Sequence, residues 1–152
     1  MNSLFLRSIK LLKWLWPVFF FIKAIYPFIN GVGCKFTFVH DGKYNLQEGV
    51  CKAGILDVYI KNKVDGSIFL KTFIWGTSKN HIYTYFLKQQ EIKAPDVKGI
   101  DRINKLYDTS LLISGYVVKV GNTDSTYLTF YDQPLEIIYI SKVKGKMGVL
   151  NQ

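Results

Sequence analysis

Residues 54–75 run GILDVYIKNKVDGSIFLKTFIW. Leu56, Val58, Ile60 and Val64 fall on one parity and Asp57, Lys61 and Lys63 on the other. That period of two is the mark of a strand with one face buried and one face in water. Asp65-Gly66 is a tight-turn dipeptide, and Ile68–Trp75 resumes the apolar run beyond it, so the stretch predicts a β-hairpin.

The same pattern continues on both sides. Upstream, Lys35–Val39 alternates and ends at the turn signal Asp41-Gly42. Downstream, His81–Lys88 places Tyr83, Tyr85 and Leu87 on one face, with the aromatic and Thr content that suits a strand. Leu111–Val120, Thr126–Tyr131 and Leu135–Val143 predict three more strands, separated by Gly121-Asn122 and by Asp132-Gln133-Pro134. Lys142, Lys144 and Lys146 give the tail the look of an edge strand blunted by Lys. Between the two groups, Ala94-Pro95-Asp96 opens a helix in which Val97, Ile100, Ile103, Leu106 and Tyr107 recur at spacings of three and four. About seven strands and one short helix make an antiparallel small barrel or sandwich.

Composition supports one such domain. The chain has 152 residues, 49% hydrophobic and 16% aromatic, with 10 Tyr and 11 Phe. That is too apolar for intrinsic disorder and too aromatic for a charged helical bundle. Two Cys exclude a disulfide-dense miniprotein and a multi-Cys zinc framework.

The N-terminal quarter is different. Residues 14–32, WLWPVFFFIKAIYPFINGV, follow Arg7, Lys10 and Lys13, and the first carboxylate of the chain is Asp41. Residues 1–40 carry five of the 20 basic residues, so more than half of the +9 excess lies in the first quarter. Nineteen helical residues span roughly 28 Å, close to the hydrocarbon thickness of a bilayer. Trp14–Ile22, with Phe19, Phe20 and Phe21 at its centre, is apolar all round, and Trp14, Trp16 and Tyr26 fit interfacial positions. Lys23, Pro17 and Pro27 count against a span, the first by charge and the others by lost backbone donors.

Three readings stand: an uncleaved signal-anchor, a cleaved signal peptide, or a buried helix of a soluble domain. The anchor is preferred, because large residues occupy the place of a cleavage site. Gly33-Cys34 has a trace of a lipoprotein box, but Gly31 stands where that box wants Leu. The resulting division is a basic cytoplasmic leader at 1–13, a membrane anchor at 14–32 and a β-rich extracytoplasmic domain at 33–152, periplasmic if the source is bacterial.

Cys34 and Cys51 follow the apolar segment. In an oxidising compartment they can pair, closing a loop of about 17 residues worth on the order of 3 kcal/mol. In the cytosol they would be two separate buried thiols. A metal site built from Cys34, His40, Cys51 and His81 matches no zinc spacing.

Residues 103–143 read INKLYDTSLLISGYVVKVGNTDSTYLTFYDQPLEIIYISKV. A short helix, a strand with Ser114-Gly115-Tyr116-Val117, a turn, a Thr- and aromatic-rich strand and a third apolar strand resemble half of an OB-fold barrel. They are similar in particular to small envelope-associated proteins of the tRNA-binding OB type. The resemblance implies a barrel with one open strand face for ligands, here Tyr116, Lys119, Tyr127 and Tyr131.

No catalytic residue is assigned. Two His and no Gly-x-Ser-x-Gly elbow give no triad signal, and Gly31-Val32-Gly33 is no phosphate loop. Asp57, Asp65, Asp96, Asp101 and Asp108 are scattered and read as turn or capping residues. No metal and no cofactor are implied. The expectation is a binding or structural protein, not an enzyme, held in the membrane by its N-terminal helix and meeting a protein partner of an envelope assembly, or a toxin or enzyme that it blocks. Two alternatives are carried. One is a soluble OB-like binder of single-stranded nucleic acid using Lys61, Lys63, Lys71, Lys119 and nearby Tyr; export would disfavour it. The other is an envelope enzyme with an unrecognised carboxylate site.

Overall fold

A computed structural model describes residues 3–94, 112–120, 126–131 and 137–150, with side chains from residue 16 onward, that of 137 excepted. The predicted helix beyond its first residue, Ala94, with Asp96, Asp101, Asp108 and the turn signals at 121–122 and 132–134, lies outside the described residues.

The described chain forms one helix, α1 (Ser3–Gly31), and eight strands: β1 (Lys35–Asp41), β2 (Asn45–Lys52), β3 (Ile55–Asn62), β4 (Ile68–Ser78), β5 (His81–Lys93), β6 (Leu112–Lys119), β7 (Thr126–Tyr131) and β8 (Ile137–Lys146). Each strand pairs antiparallel with its neighbours in chain order, and β8 returns to β1, so the sheet closes into an up-and-down barrel. The expected small antiparallel barrel is present. Its eight strands in simple succession exceed the five of the OB arrangement, and residues 112–143 supply three of them.

Closure revises two expectations. The Lys-rich tail is not an edge strand, because β8 pairs with β1 from Lys35↔Lys146 to Val39↔Lys142. One strand, β2, was not among those expected. Its alternation is broken by Glu48-Gly49, and Gly49 is needed because a Cβ there would lie 2.0 Å from the Phe38 ring. The β2–β3 turn is Ala53-Gly54, both at positive φ (51° and 81°), which is the backbone of a tight hairpin without its usual Asn-Gly sequence.

Alternation fills the barrel. Phe36, Leu56, Val58, Trp75, Ile82 and Val143 turn inward and pack with Phe38, Phe73 and Tyr127. The Trp75 ring meets Phe36 edge-on at 5.0 Å, and its Nε1–H donates to Met147 O at 2.8 Å. Burying side chains of this size is worth about 1.5–3 kcal/mol each. Register shifts beside Phe69 and Phe73 mark irregularities in the long β4–β5 pair, where an extra residue bends a strand.

The base of the barrel is the end at which β1 begins and β8 ends. Cys34 and Cys51 are joined there by a disulfide, with Cα atoms 5.7 Å apart and both residues buried. The last turn of α1 docks on the same end. Gly31 lies so close to Trp75 O that a Cβ would approach to 2.1 Å, and Phe28 rests against Gly76 and, at 6.5 Å, Tyr83.

Nearer its N-terminus α1 leaves the barrel. Trp16, Val18, Phe19, Phe20, Phe21 and Ile22 are 52–67% exposed, so this part is not the buried helix of the third reading. The helix begins at Ser3 rather than at 14, running on without a break from the basic residues. Among the described residues, no helix is long and apolar enough to cross a membrane. Lys23 interrupts the apolar run after Ile22, its Nζ lying 5.5 Å from the centroid of the Phe19 ring.

Candidate binding surfaces

The base is built as a joint. Asn30, 8% exposed, donates from Nδ2 to Thr77 O at 2.9 Å and accepts at Oδ1 from Leu150 N at 2.9 Å. Its own carbonyl accepts from Val149 N. One side chain thus ties α1 to β4 and to the tail. Beside it lies a cavity of about 100 Å³ lined by Asn30, Thr77, Tyr127 and Met147. Among the described residues no fully buried side-chain polar atom lacks a partner.

Toward the other end, three rings line the inner wall. Tyr139 meets His40 edge-on at 4.5 Å and Tyr131 at 5.6 Å. His40 Nδ1 lies 2.8 Å from Ile140 O, a carbonyl that can only accept, so Nδ1–H donates. Burial pushes the Tyr131 hydroxyl up to about 12, so it stays protonated at neutral pH. Lys71 is on the same inner face, opposite Val58 and Gln89, and is 9% exposed. At the rim Lys63 donates to Asp41, and that bond and charge hold the Asp41 carboxyl below its usual value. The pair is exposed and adds little stability.

The four residues of the expected ligand face separate. Lys119 is opposite Tyr127 in register, and Tyr131 shares their parity on the inner wall. Tyr116 pairs with Phe130 on the outer wall, where its ring meets His81 at 5.2 Å and its hydroxyl accepts from Asn80 Nδ2 at 3.0 Å. The residues weighed as metal ligands are also dispersed, because both Cys are in the disulfide and each His lies against a different Tyr. Of the scattered carboxylates, Asp57 accepts from Thr72 Oγ1 at 2.7 Å, and Asp65 accepts from Ser67 N and Oγ at 2.9 and 2.6 Å. Each is committed to its own turn or wall. Trp14 belongs to the helix but its side chain lies outside those described, and Tyr26 is exposed.

Pattern reading did not find the outer wall of β7 and β8. Ile138 and Ile140 are each 62% exposed, and they face Phe130 and Leu128 in register. The signal was present as the run Ile137-Ile138, which breaks alternation by placing apolar residues on both faces. No protein-family model matches this chain, and no curated protein matches it.

Proposed function

We propose that this chain is a membrane-anchored binding or structural protein whose barrel is displayed outside the cytoplasm, in the periplasm if the source is bacterial. The observation that carries this reading is the bare apolar stretch Trp16–Ile22, which no part of the described barrel covers. Six large apolar side chains in water are costly, and a bilayer is the solvent that removes the cost. Lys23 fits this setting, since its long stem can reach back along the helix and its ammonium already lies over Phe19. In this reading α1 is a signal-anchor and Arg7, Lys10 and Lys13 remain on the cytoplasmic side.

The Cys34–Cys51 disulfide supports export, because such bonds persist in oxidising compartments. A protein partner is supported by the exposed apolar wall at Ile138 and Ile140. Single-strand binding is less favoured, because rings and cations must share one open face, whereas Tyr116 is on the outer wall and Tyr127 and Tyr131 on the inner.

The test is a reporter active only outside the cytoplasm, fused after Gln152, together with fractionation of the cells. Activity in the membrane fraction is expected. Normal expression of an inactive fusion, or its recovery in the soluble fraction, overturns the reading.

A further inference from the structure

Strand pairing gathers lysines at the base of the barrel. Lys146 is directly opposite Lys35, and Lys35 is directly opposite Lys52, so three cations stand abreast across β8, β1 and β2. Lys144 faces the same way, two residues up β8, opposite Thr37. All four are exposed, and none forms an ion pair among the described residues. Neighbouring strands are about 4.8 Å apart, and like charges directly opposite one another destabilise a sheet. The nearest described carboxylates on this part of the wall are Asp57, in the row of Lys144 two strands beyond Thr37 and bonded to Thr72 Oγ1, and Glu48, one row farther from the base, opposite Val39. Asp41, Asp65 and Glu91 are at the other end.

The tip of the same end is apolar. Val32, Val149 and Leu150 are 57%, 53% and 56% exposed. Val149 abuts Gly33 and Val32 abuts Gly54, so these residues occupy one small area beside the end of α1. An apolar tip beside unpaired cations, at the end from which an apolar helix departs, has the chemistry of a surface that rests on lipid headgroups.

We infer that the base of the barrel is a second membrane contact: Lys35, Lys52, Lys144 and Lys146 bind the phosphates of anionic phospholipids, and the Val32–Val149–Leu150 tip sits in the headgroup layer. The inference deepens the anchor reading and rests on it, since α1 brings this end to the bilayer. It sets the pose of the barrel, with the exposed Ile138–Ile140 wall facing sideways and the rim carrying Lys63 and Asp41 facing away.

The test uses the full chain and flotation with two kinds of vesicle, pure phosphatidylcholine and phosphatidylcholine with about a quarter phosphatidylglycerol. The wild-type chain is expected to bind neutral vesicles through α1 and the anionic ones at least about tenfold more tightly at low salt. The difference should vanish at about 0.5 M salt, where charges are screened within a few ångströms. The variant carrying Lys35→Gln, Lys52→Gln, Lys144→Gln and Lys146→Gln should keep neutral binding and lose the preference. Its fold is checked by its β-sheet circular dichroism. Should it fail to fold, the Lys35→Gln/Lys146→Gln pair should lose about half of the preference on a logarithmic scale.

Equal wild-type binding to both vesicles overturns the lysine surface and leaves the anchor standing. A preference that survives in the variant also overturns it. Binding to anionic vesicles alone, abolished in the variant, supports the surface and overturns the anchor. A single-stranded oligonucleotide that displaces anionic vesicles at equal phosphate concentration through the same lysines overturns the lipid assignment in favour of nucleic acid.

Discussion

At Tyr131 the inner wall of the barrel disfavours a phenolate, and the hydroxyl is pushed up to about 12 from its ordinary 10. The unfolded chain therefore loses this proton at lower pH than the folded one. Its contribution to stability is complete below pH 10 and is lost as pH rises toward 12. The expected loss across that interval is about 1–2 kcal/mol, reduced from the full linkage value because the ring keeps some contact with water. Tyr131→Phe should flatten the fall in denaturation midpoint between pH 9.5 and 12 relative to wild type. Parallel curves for the two proteins would show that the phenol ionises as freely inside the barrel as outside. At the same scale, Gly49 and Ala53 explain what the sequence concealed. Gly49 looks like a strand breaker until Phe38 is known to occupy its place. Ala53 gives no turn signal, and its positive φ is imposed by the hairpin around it. By contrast, Asp41-Gly42 and Asp65-Gly66 declare their turns locally: the β3–β4 hairpin is where the sequence puts it, while at Asp41-Gly42 only the turn was legible and its second strand, β2, was not.

Among the elements, strands with strict alternation were readable and elements defined by their neighbours were not. β3, β4 and β7 match expectation closely because Leu56, Val58 and Ile60 need one buried face wherever the partner strand lies. The status of β8 depends on β1, a hundred residues earlier, so its lysines mimicked an edge. Of the expected ligand face, the Lys119–Tyr127 neighbourhood was predictable from a single hairpin. The reversal of Tyr116 follows from parity, which an open ligand face spanning both parities cannot satisfy. The joint between α1 and β4 had no signal at all, since Asn30 looks like an ordinary helix-ending residue. Asn30→Ala should cost about 1–3 kcal/mol, because Leu150 N and Thr77 O lose their partners in a part-buried place. Hydrogen exchange should then quicken at Leu150 while β2 and β3 amides stay protected. Unchanged exchange at Leu150 would mean that Val149 N bonded to the Asn30 carbonyl suffices to hold the tail.

For the molecule as a whole, the question is what the disulfide adds to a barrel that already closes itself. Cys51 is opposite Phe36 in register, and Cys34 precedes β1 by one residue, so the bridge joins segments that the β1–β2 ladder already brings together. In the folded state it therefore supplies little that pairing does not. In the unfolded chain it removes the freedom of a loop closed at a separation of 17. That predicts stabilisation of about 3 kcal/mol, chiefly through the unfolded state. Full-length protein in detergent, compared oxidised and reduced, should keep the same β-sheet circular dichroism. The reduced form should unfold at lower denaturant with an equal or steeper slope, since its unfolded chain exposes more surface. If the bridge instead held α1 in its dock, reduction would release amide protection around Asn30 and Leu150 and move the global midpoint little. The ladder on one side and the Gly31–Trp75 contact on the other argue for the first outcome, because the helix has its own close-packed seat on β4 and does not depend on the bridge to reach it.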